Sequence, residues 1–262
     1  MTKTMQKAII LKDLRTIATN KRMLAVLLIV PLIMMVVVPT IIVLTLSLAP
    51  LNSPDFQELA GMLLPGAQGD LRQMLLNLLF NNVLPLFFLI IPVMASSVMA
   101  AGAFIGEKEK STLETLLYCP LSLKRIFNSK VLSSFLLSTA VSLLSFFVML
   151  LVVEIELLIV SKKFLLPGIS WLVMMLLVSP AISLIAITLI VRGSAKAQSF
   201  EESQQRSVFL ILPILLLLVG QFTGIMAINA WVFLGMGVVC ALLAWLLLKS
   251  AFRRFSYETL LQ

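Results

Sequence analysis

Five long stretches without a charged residue dominate this sequence of 262 residues. Each is long enough to cross a lipid bilayer as a helix, which takes about 20 residues. Because only 12% of the residues are charged, against about a quarter in ordinary soluble domains, a soluble globular protein is excluded. The stretches lie between Arg22 and Asp55, Arg72 and Glu107, Lys130 and Glu154, Lys163 and Arg192, and Arg206 and Lys249.

The last stretch is too long for one span. Its 42 uncharged residues would form a helix of about 63 Å, twice a hydrocarbon core of about 30 Å, so a turn is predicted near 224–229. The predicted fold class is therefore an all-α membrane protein with six transmembrane helices, preceded by an interfacial helix at 1–22 and forming a single transmembrane domain, 1–262. The spans are expected near 23–49, 79–104, 131–153, 166–191, 208–226 and 230–249.

Basic residues mark one face of this predicted bundle. Lysine and arginine accumulate in cytoplasmic loops, and 17 of the 20 basic residues fall in segments 1–22, 105–130 and 192–207 and in the C-terminal tail. Both termini are therefore expected in the cytoplasm, in a multi-pass protein of the cell inner (cytoplasmic) membrane. The net charge of +8 follows from this topology, so nucleic acid is not an expected partner.

Histidine does not occur in the sequence, which removes the commonest metal ligand and the only side chain that titrates near neutral pH when unperturbed. The two cysteines have no metal-site spacing, so neither a metal site nor a catalytic residue is predicted in this chain. A carboxylate in the middle of a span is also missing from the sequence, which argues against a proton-coupled pump. A membrane enzyme is disfavoured because it would need polar catalytic groups at a defined depth.

The N-terminal segment has an amphipathic helical pattern. Apolar residues recur at helical spacing, and Lys12 and Arg15 fall elsewhere around the helix. This pattern predicts a helix in the inner membrane interface, where anionic lipid attracts cations. It serves either as a topology anchor or as a docking element. The apolar positions are Ile10, Leu11, Leu14, Ile17 and Ala18.

Two features mark the opposite, outer side. The run Ser53-Pro54-Asp55 predicts a helix N-terminus with proline at the first position, and the helix should reach about Leu63. Glu154 and Glu156 lie at the outer end of the third predicted span. They either anchor that end in the interface or meet an exiting substrate.

The segment 106–120, between the second and third spans, has the most informative pattern. Ser111-Thr-Leu-Glu114 has the form of a capping box, so a short helix should begin there and extend to about Tyr118. Pro120 disfavours helical geometry at the residue before it and should end the helix. Leu113, Leu116 and Leu117 share one face. That face could pack on the membrane surface, on the chain's own spans or on another subunit.

The same segment resembles the signature of type-2 ABC transporter permeases, in the branch of sodium, drug and peptide exporters. The resemblance is carried by Gly106-Glu-Lys-Glu-Lys-Ser-Thr-Leu-Glu-Thr-Leu-Leu117, Pro120-Leu-Ser122 and Lys130, with Ser111 where the family most often has glycine. Lys12-Asp-Leu-Arg15 resembles the family's interfacial helix. Ser194-Ala-Lys-Ala-Gln198 resembles its second inner loop.

This resemblance implies a membrane subunit that binds a separate ATP-hydrolysing subunit through a coupling helix at 111–118. Leu113, Leu116 and Leu117 would be its apolar anchors, and Glu107, Glu109 and Glu114 would meet basic groups of the partner or cap the helix. Because the sequence has no Gly-x-x-x-x-Gly-Lys-Ser/Thr loop, ATP and Mg²⁺ would be bound by that partner and no cofactor by this chain. Two ATPase copies, a second permease subunit (homodimer or heterodimer) and membrane lipid are the expected partners.

The spans contain few polar residues that could line a pathway, so an amphipathic, peptide, antibiotic or lipid-like cargo is expected rather than an ion. A non-transporting accessory or immunity protein with the same fold is the alternative function. The polar positions are Ser96, Ser97, Ser138, Ser142, Ser145 and Gln221.

Overall fold

The computed structural model describes residues 2–48, 50, 53–63, 70–109, 122–162, 164–194, 200–223 and 229–254. Every regular element in these ranges is helical, which confirms the all-α prediction. The α-helices are α1 (Thr2–Thr19), α2 (Lys21–Leu48), α3 (Pro54–Leu63), α4 (Leu71–Leu78), α5 (Leu84–Phe88), α6 (Ile90–Glu109), α7 (Leu123–Ser161), α8 (Ile169–Val173), α9 (Ser179–Ser194), α10 (Phe200–Phe222) and α11 (Ala230–Arg254).

Five helical segments within the described ranges are long and apolar enough to cross a membrane. The fifth predicted span corresponds to α10, whose apolar part, Phe209–Phe222, is shorter than the other spans. The predicted turn at 224–229 lies outside the described residues except for Asn229. The long segments are Met23–Leu48, Leu71–Gly106, Lys124–Val160, Ile169–Gly193 and Ala230–Ala251.

The second span forms the centre of the bundle. Its most apolar window is 89% buried, compared with 17% for the last span, Ala230–Ala251. The α6 part of this span packs against α7, α9 and α10, whereas α2 packs mainly on α7 and α11 on α9. The outer helices therefore direct apolar side chains away from the protein, as expected for a bundle that lipid surrounds.

Prolines explain two irregular turns in the second and fourth spans. Leu79–Val83 and Met174–Val178 are π-helical, and in each case a proline follows two residues after the segment, Pro85 and Pro180. Proline has no N–H and its ring crowds the carbonyl four residues earlier, so the helix widens before it. Both spans therefore continue through their prolines with a locally wider turn.

Trp171 compensates for the irregular turn in the second span. Because Pro85 has no N–H, the carbonyl of Phe80 lacks the donor that a π-helical pattern would provide five residues later. The indole Nε1 of Trp171 donates to this carbonyl at 3.0 Å. The Trp171 ring is buried and lies 5.7 Å from the ring centroid of Phe88 and 5.1 Å from that of Phe146. The second, third and fourth spans thus meet at one aromatic cluster.

Asn20 separates the N-terminal helix from the first span. Its side-chain Oδ1 accepts a hydrogen bond from the backbone N–H of Met23 at 3.3 Å, so Asn20 caps α2. Helix α1 packs mainly on α7 and less extensively on α2. A separate N-terminal helix before the first span agrees with the prediction from the sequence.

Candidate functional site

Two helix ends bound the predicted coupling segment. Helix α6 ends at Glu109 and α7 begins at Leu123, after the extended residue Ser122. Glu107 and Glu109 lie in the last turn of α6, where only the backbone is described. Ser111, Leu113, Glu114, Leu116, Leu117 and Pro120, with the predicted helix 111–118, lie outside the described residues. The described contacts lie at the base of this segment, formed by the end of α6 and the start of α7.

Helix α1 packs on that base with a different face from the one predicted. Ile9, Asp13 and Ile17 are its buried positions, spaced four residues apart. Of the predicted apolar positions, Ile17 is buried and Leu14 half-buried, but Leu11 is 56% exposed. Relative to the predicted orientation, α1 is rotated so that Asp13 faces α7. The sequence pattern alone does not reveal a polar partner for this residue.

The other side of α1 carries its cations. Lys12 and Arg15 are exposed and, together with Thr16 and Thr19, line an open groove of about 530 Å³. Both threonine hydroxyls donate back to carbonyls of their own helix, Thr16 to Lys12 at 2.9 Å and Thr19 to Arg15 at 2.8 Å. The outward surface of α1 therefore presents two long basic side chains beside the exposed Leu11.

A buried polar cluster joins α1 to the base of the coupling segment. We call Asp13, Lys130 and Ser133 the inner cluster; they are 5%, 2% and 0% exposed. The Ser133 Oγ lies 3.0 Å from the Asp13 Oδ2 and 2.9 Å from the backbone carbonyl of Lys130. The Lys130 Nζ donates to the carbonyl of Ala103 and lies 5.4 Å from the ring centroid of Phe104.

The inner cluster is adjacent to both ends of the 110–121 segment. Ala103 lies less than two turns before the end of α6, and Lys130 lies two turns after the start of α7. The lysine side chain therefore connects the helix that leads into the segment with the helix that leaves it. The family resemblance includes Lys130, and Asp13 lies within its Lys12–Arg15 run, but the sequence pattern assigns no role to Asp13 or Ser133. The spacing of Ile9, Asp13 and Ile17 on one helical face was the available signal.

A second polar group lies deep within the bundle. The Ser138 Oγ is 3.2 Å from the carbonyl of Pro92 and 3.2 Å from the Ser183 Oγ, and Ser96 donates to the same carbonyl. We call Ser96, Ser138 and Ser183, which are all fully buried, the serine node. It joins α6, α7 and α9. Ser96 and Ser138 are among the polar positions predicted from the sequence to line a pathway, whereas Ser183 is not.

Other predicted pathway hydroxyls are buried without a hydrogen bond. Ser97, Ser142 and Ser145 have no hydrogen-bond partner among the described residues, although each is at most 1% exposed. A buried hydroxyl without a partner is destabilised relative to one in water. In this conformation the serines therefore face other helices of the same bundle, where they are closed off from solvent.

The outer end of α7 has a simpler polar contact. Thr40 of α2 donates a hydrogen bond to the Glu156 Oε1, while the Oε2 has no partner within the described part of the chain. Glu154 and Glu156 are both half-buried. This contact ties the outer ends of the first and third spans together.

The polar contacts of the described residues lie mainly between helices. Among the described residues there is no group of three or more acidic or cysteine side chains that could hold a metal ion. The polar groups instead join helices at three depths of the bundle. They connect α1, α6 and α7 at the inner end, α6, α7 and α9 in the middle, and α2 and α7 at the outer end.

Comparison with known proteins gives one finding. The family described as ABC-2 family transporter protein matches residues 7–235, which include most of α1, the inner cluster and the serine node. No curated protein and no solved structure matches the chain significantly. A family match over most of the chain, together with five long apolar helices, identifies a multi-pass membrane protein. The chain therefore belongs to the ABC-2 family of transporter proteins and is a membrane permease subunit of that family.

Proposed function

We propose that this chain is the membrane subunit of an ATP-driven exporter of the cytoplasmic membrane. The single observation that carries the proposal is the family match from residue 7 to residue 235. The sequence has no phosphate-binding loop, which supports ATP hydrolysis by a separate subunit that binds ATP and Mg²⁺.

The segment 107–120 is the proposed docking element for the ATPase. Its apolar residues Leu113, Leu116 and Leu117 would enter a cleft of the partner, since a few desolvated side chains dominate the binding energy of most interfaces. Glu107, Glu109 and Glu114 would face basic groups at the rim. The inner cluster supports this proposal, because its contacts hold α6 and α7 together close to the docking element and a lever must be attached to rigid elements.

The proposed mechanism is alternating access between two membrane halves. Two ATPase copies close on ATP and separate after hydrolysis, and their movement turns the helices that flank the docking element. The second half is a membrane subunit, either another copy of this chain or a different one. Exposed apolar residues on α2, α7, α10 and α11 provide surface for both lipid and that second subunit.

We propose that the cargo is amphipathic, such as a peptide, an antibiotic or a lipid-like molecule. The bundle interior is aliphatic and aromatic, with buried serine hydroxyls distributed among the helices, which suits an apolar body that carries some polar groups. Ser97, Ser142 and Ser145 support this proposal, because their hydroxyls lack partners in the closed bundle and would gain them from cargo or water.

At the inner surface, α1 is proposed to lie in the membrane interface. Lys12 and Arg15 would meet lipid phosphate groups, while Leu11 and Leu14 would contact the acyl chains. This position places α1 between the lipid headgroups and the base of the docking element.

Co-purification tests the ATPase assignment. The tagged chain, extracted from its native membrane in mild detergent, should retain a nucleotide-binding subunit in a similar molar amount. The double variant Leu113→Asp, Leu117→Asp should lose it, because two charges cannot enter an apolar cleft. A matched control is Phe164→Asp, Leu166→Asp, since both residues are exposed on the outer side of the protein.

The outcomes separate the two candidate functions. Loss of the ATPase from the inner double variant alone, with unchanged size-exclusion profiles for all three proteins, would support the docking assignment. If no nucleotide-binding subunit accompanies the parent protein, the exporter proposal fails and the accessory or immunity function takes its place. Once a complex is obtained, stimulation of its ATP hydrolysis by amphipathic peptides, but not by inorganic ions, would test the cargo class.

A further inference from the structure

Two opposite charges are buried at the inner cluster. Asp13 is 5% exposed and Lys130 is 2% exposed, and they belong to helices that pack on each other, α1 and α7. Removing a charge from water without compensation costs several kcal/mol, so buried charges are normally paired. Two buried charges of opposite sign at one helix contact are therefore expected to compensate each other.

Ser133 shows that the two side chains converge. Its hydroxyl contacts the Asp13 carboxylate at 3.0 Å, and it lies three residues after Lys130, so both α7 side chains share one face. The Lys130 ammonium has three N–H donors, and the carbonyl of Ala103 is a neutral acceptor. A carboxylate beside the same turn of α7 supplies the negative charge that this ammonium requires.

We infer that Asp13 and Lys130 form a buried ion pair that fastens α1 to both helices flanking the 110–121 segment. Lys130 already links α7 to the carbonyl of Ala103 on α6, and the pair adds α1 as the third helix. Asp13 and Lys130 are thus positioning residues. The ends of α6 and α7 and the whole of α1 move as one rigid unit.

The rigid unit has a direct consequence for the transport cycle. Displacement of the docking segment by the ATPase is carried to α1 and so to the lipid interface, rather than being absorbed by bending at the helix ends. This role depends on the proposed function, because the displacement comes from the ATPase. The ion pair itself does not depend on it.

A double-mutant cycle tests the pair. Asp13→Asn and Lys130→Met each leave one buried charge without its partner and should lower the unfolding temperature by roughly 6–12 °C. The double variant leaves no buried charge, so its loss should be clearly smaller than the sum of the two single losses. Lys124→Met is the matched control, because Lys124 is an exposed lysine on the same helix, and it should change little. Losses that simply add would overturn the pair.

A distance measurement in the ATPase complex tests the rigid unit. Spin labels at Leu11→Cys and Leu132→Cys report α1 against α7; both residues are exposed, and Cys119 and Cys240 are first replaced by serine. The parent should give one narrow distance that ATP with vanadate leaves unchanged. Asp13→Asn should broaden it and weaken the dependence of ATP hydrolysis on amphipathic peptide.

The possible failures are distinguishable. A shift of the parent distance on addition of ATP and vanadate would overturn the rigid unit, since α1 would then move independently of α7. An unchanged distance and unchanged peptide stimulation in Asp13→Asn would also overturn it. If no ATPase accompanies the parent, the proposed function fails and the coupling role fails with it, while the thermal cycle still decides whether the ion pair exists.

Discussion

The charged residues near the two ends of α7 differ in their burial and in their contacts. Lys130 and Glu156 are separated by 26 residues, about 39 Å along the helix, so they flank a hydrocarbon core of about 30 Å. At the inner end, Lys130 and Asp13 are almost completely buried among three helices. At the outer end, Glu156 is half-buried and its one hydrogen bond to a described residue comes from Thr40.

The inner cluster of Asp13, Lys130 and Ser133 is a joint between helices, whereas Glu156 is only an anchor at the outer end of α7. A buried polar joint resists separation of its helices, because moving one helix away leaves a buried charge without compensation. A half-buried carboxylate can exchange its protein contact for water at little cost. The inner ends of α1, α6 and α7 are therefore expected to keep their relative positions, while the outer ends of α2 and α7 can separate.

The largest effect is expected from reversing the charge at the joint. Lys130→Glu places a second carboxylate beside Asp13 and removes the donor to the Ala103 carbonyl, so the free energy of unfolding should fall by about 5 kcal/mol or more. Quantification of folded protein in the membrane, by size-exclusion chromatography after mild extraction, measures this loss. Near-normal yield of folded Lys130→Glu would refute a buried inner cluster.

A smaller loss is expected when the carboxylate is neutralised. Asp13→Asn keeps an acceptor for Ser133, and Lys130 retains the Ala103 carbonyl and the Phe104 ring. Because the Lys130 ammonium keeps these contacts but loses its buried carboxylate partner, the free energy of unfolding should fall by about 3 kcal/mol, the low end of the cost of breaking a buried ion pair. Thermal unfolding in one detergent measures it, and a loss larger than that of Lys130→Glu would contradict this order.

The hydroxyl at the joint should contribute less than either charge. Ser133→Ala removes one hydrogen bond to the Asp13 carboxylate while both charges remain, so a loss of about 1.5 kcal/mol is expected. The matched control is Ser142→Ala, because the Ser142 hydroxyl is equally buried on α7 but has no described partner. Equal losses for the two variants would show that the Ser133 contact has no special value.

The smallest effect is expected at the outer end. Glu156→Gln keeps an oxygen that can accept from Thr40, and the residue is only half-buried, so the free energy of unfolding should stay within about 0.5 kcal/mol of the parent. The same thermal unfolding assay measures it. A loss as large as that of Asp13→Asn would remove the distinction between joint and anchor.

Much of the fold could be predicted from the pattern of charges. Uncharged runs predicted the membrane-crossing helices because a span must be about 20 residues long and free of charge. Helix α3 was predicted from Ser53 and Pro54 and is present at Pro54–Leu63. The predicted lengths were too short: the second span begins at Leu71 and the helix of the third extends to Ser161, because helices continue beyond the hydrocarbon core.

The candidate site was predicted only in part. The resemblance of residues 106–122 indicated the family, which the match over residues 7–235 shows. The roles of the individual docking residues stay predictions. The helical pattern of α1 assigns no role to Asp13, and the structure buries this residue. A helical wheel ranks side chains by polarity and contains no information about a partner 120 residues away.

The sequence by itself determined which segments enter the membrane, which face is basic and which family the chain resembles. These properties depend on local composition, and the bilayer selects for composition directly. Only the tertiary structure decided that the second span is central, that Trp171 satisfies the carbonyl of Phe80, and that Asp13, Lys130 and Ser133 meet. Such contacts depend on the relative rotation of helices, which packing between distant residues sets.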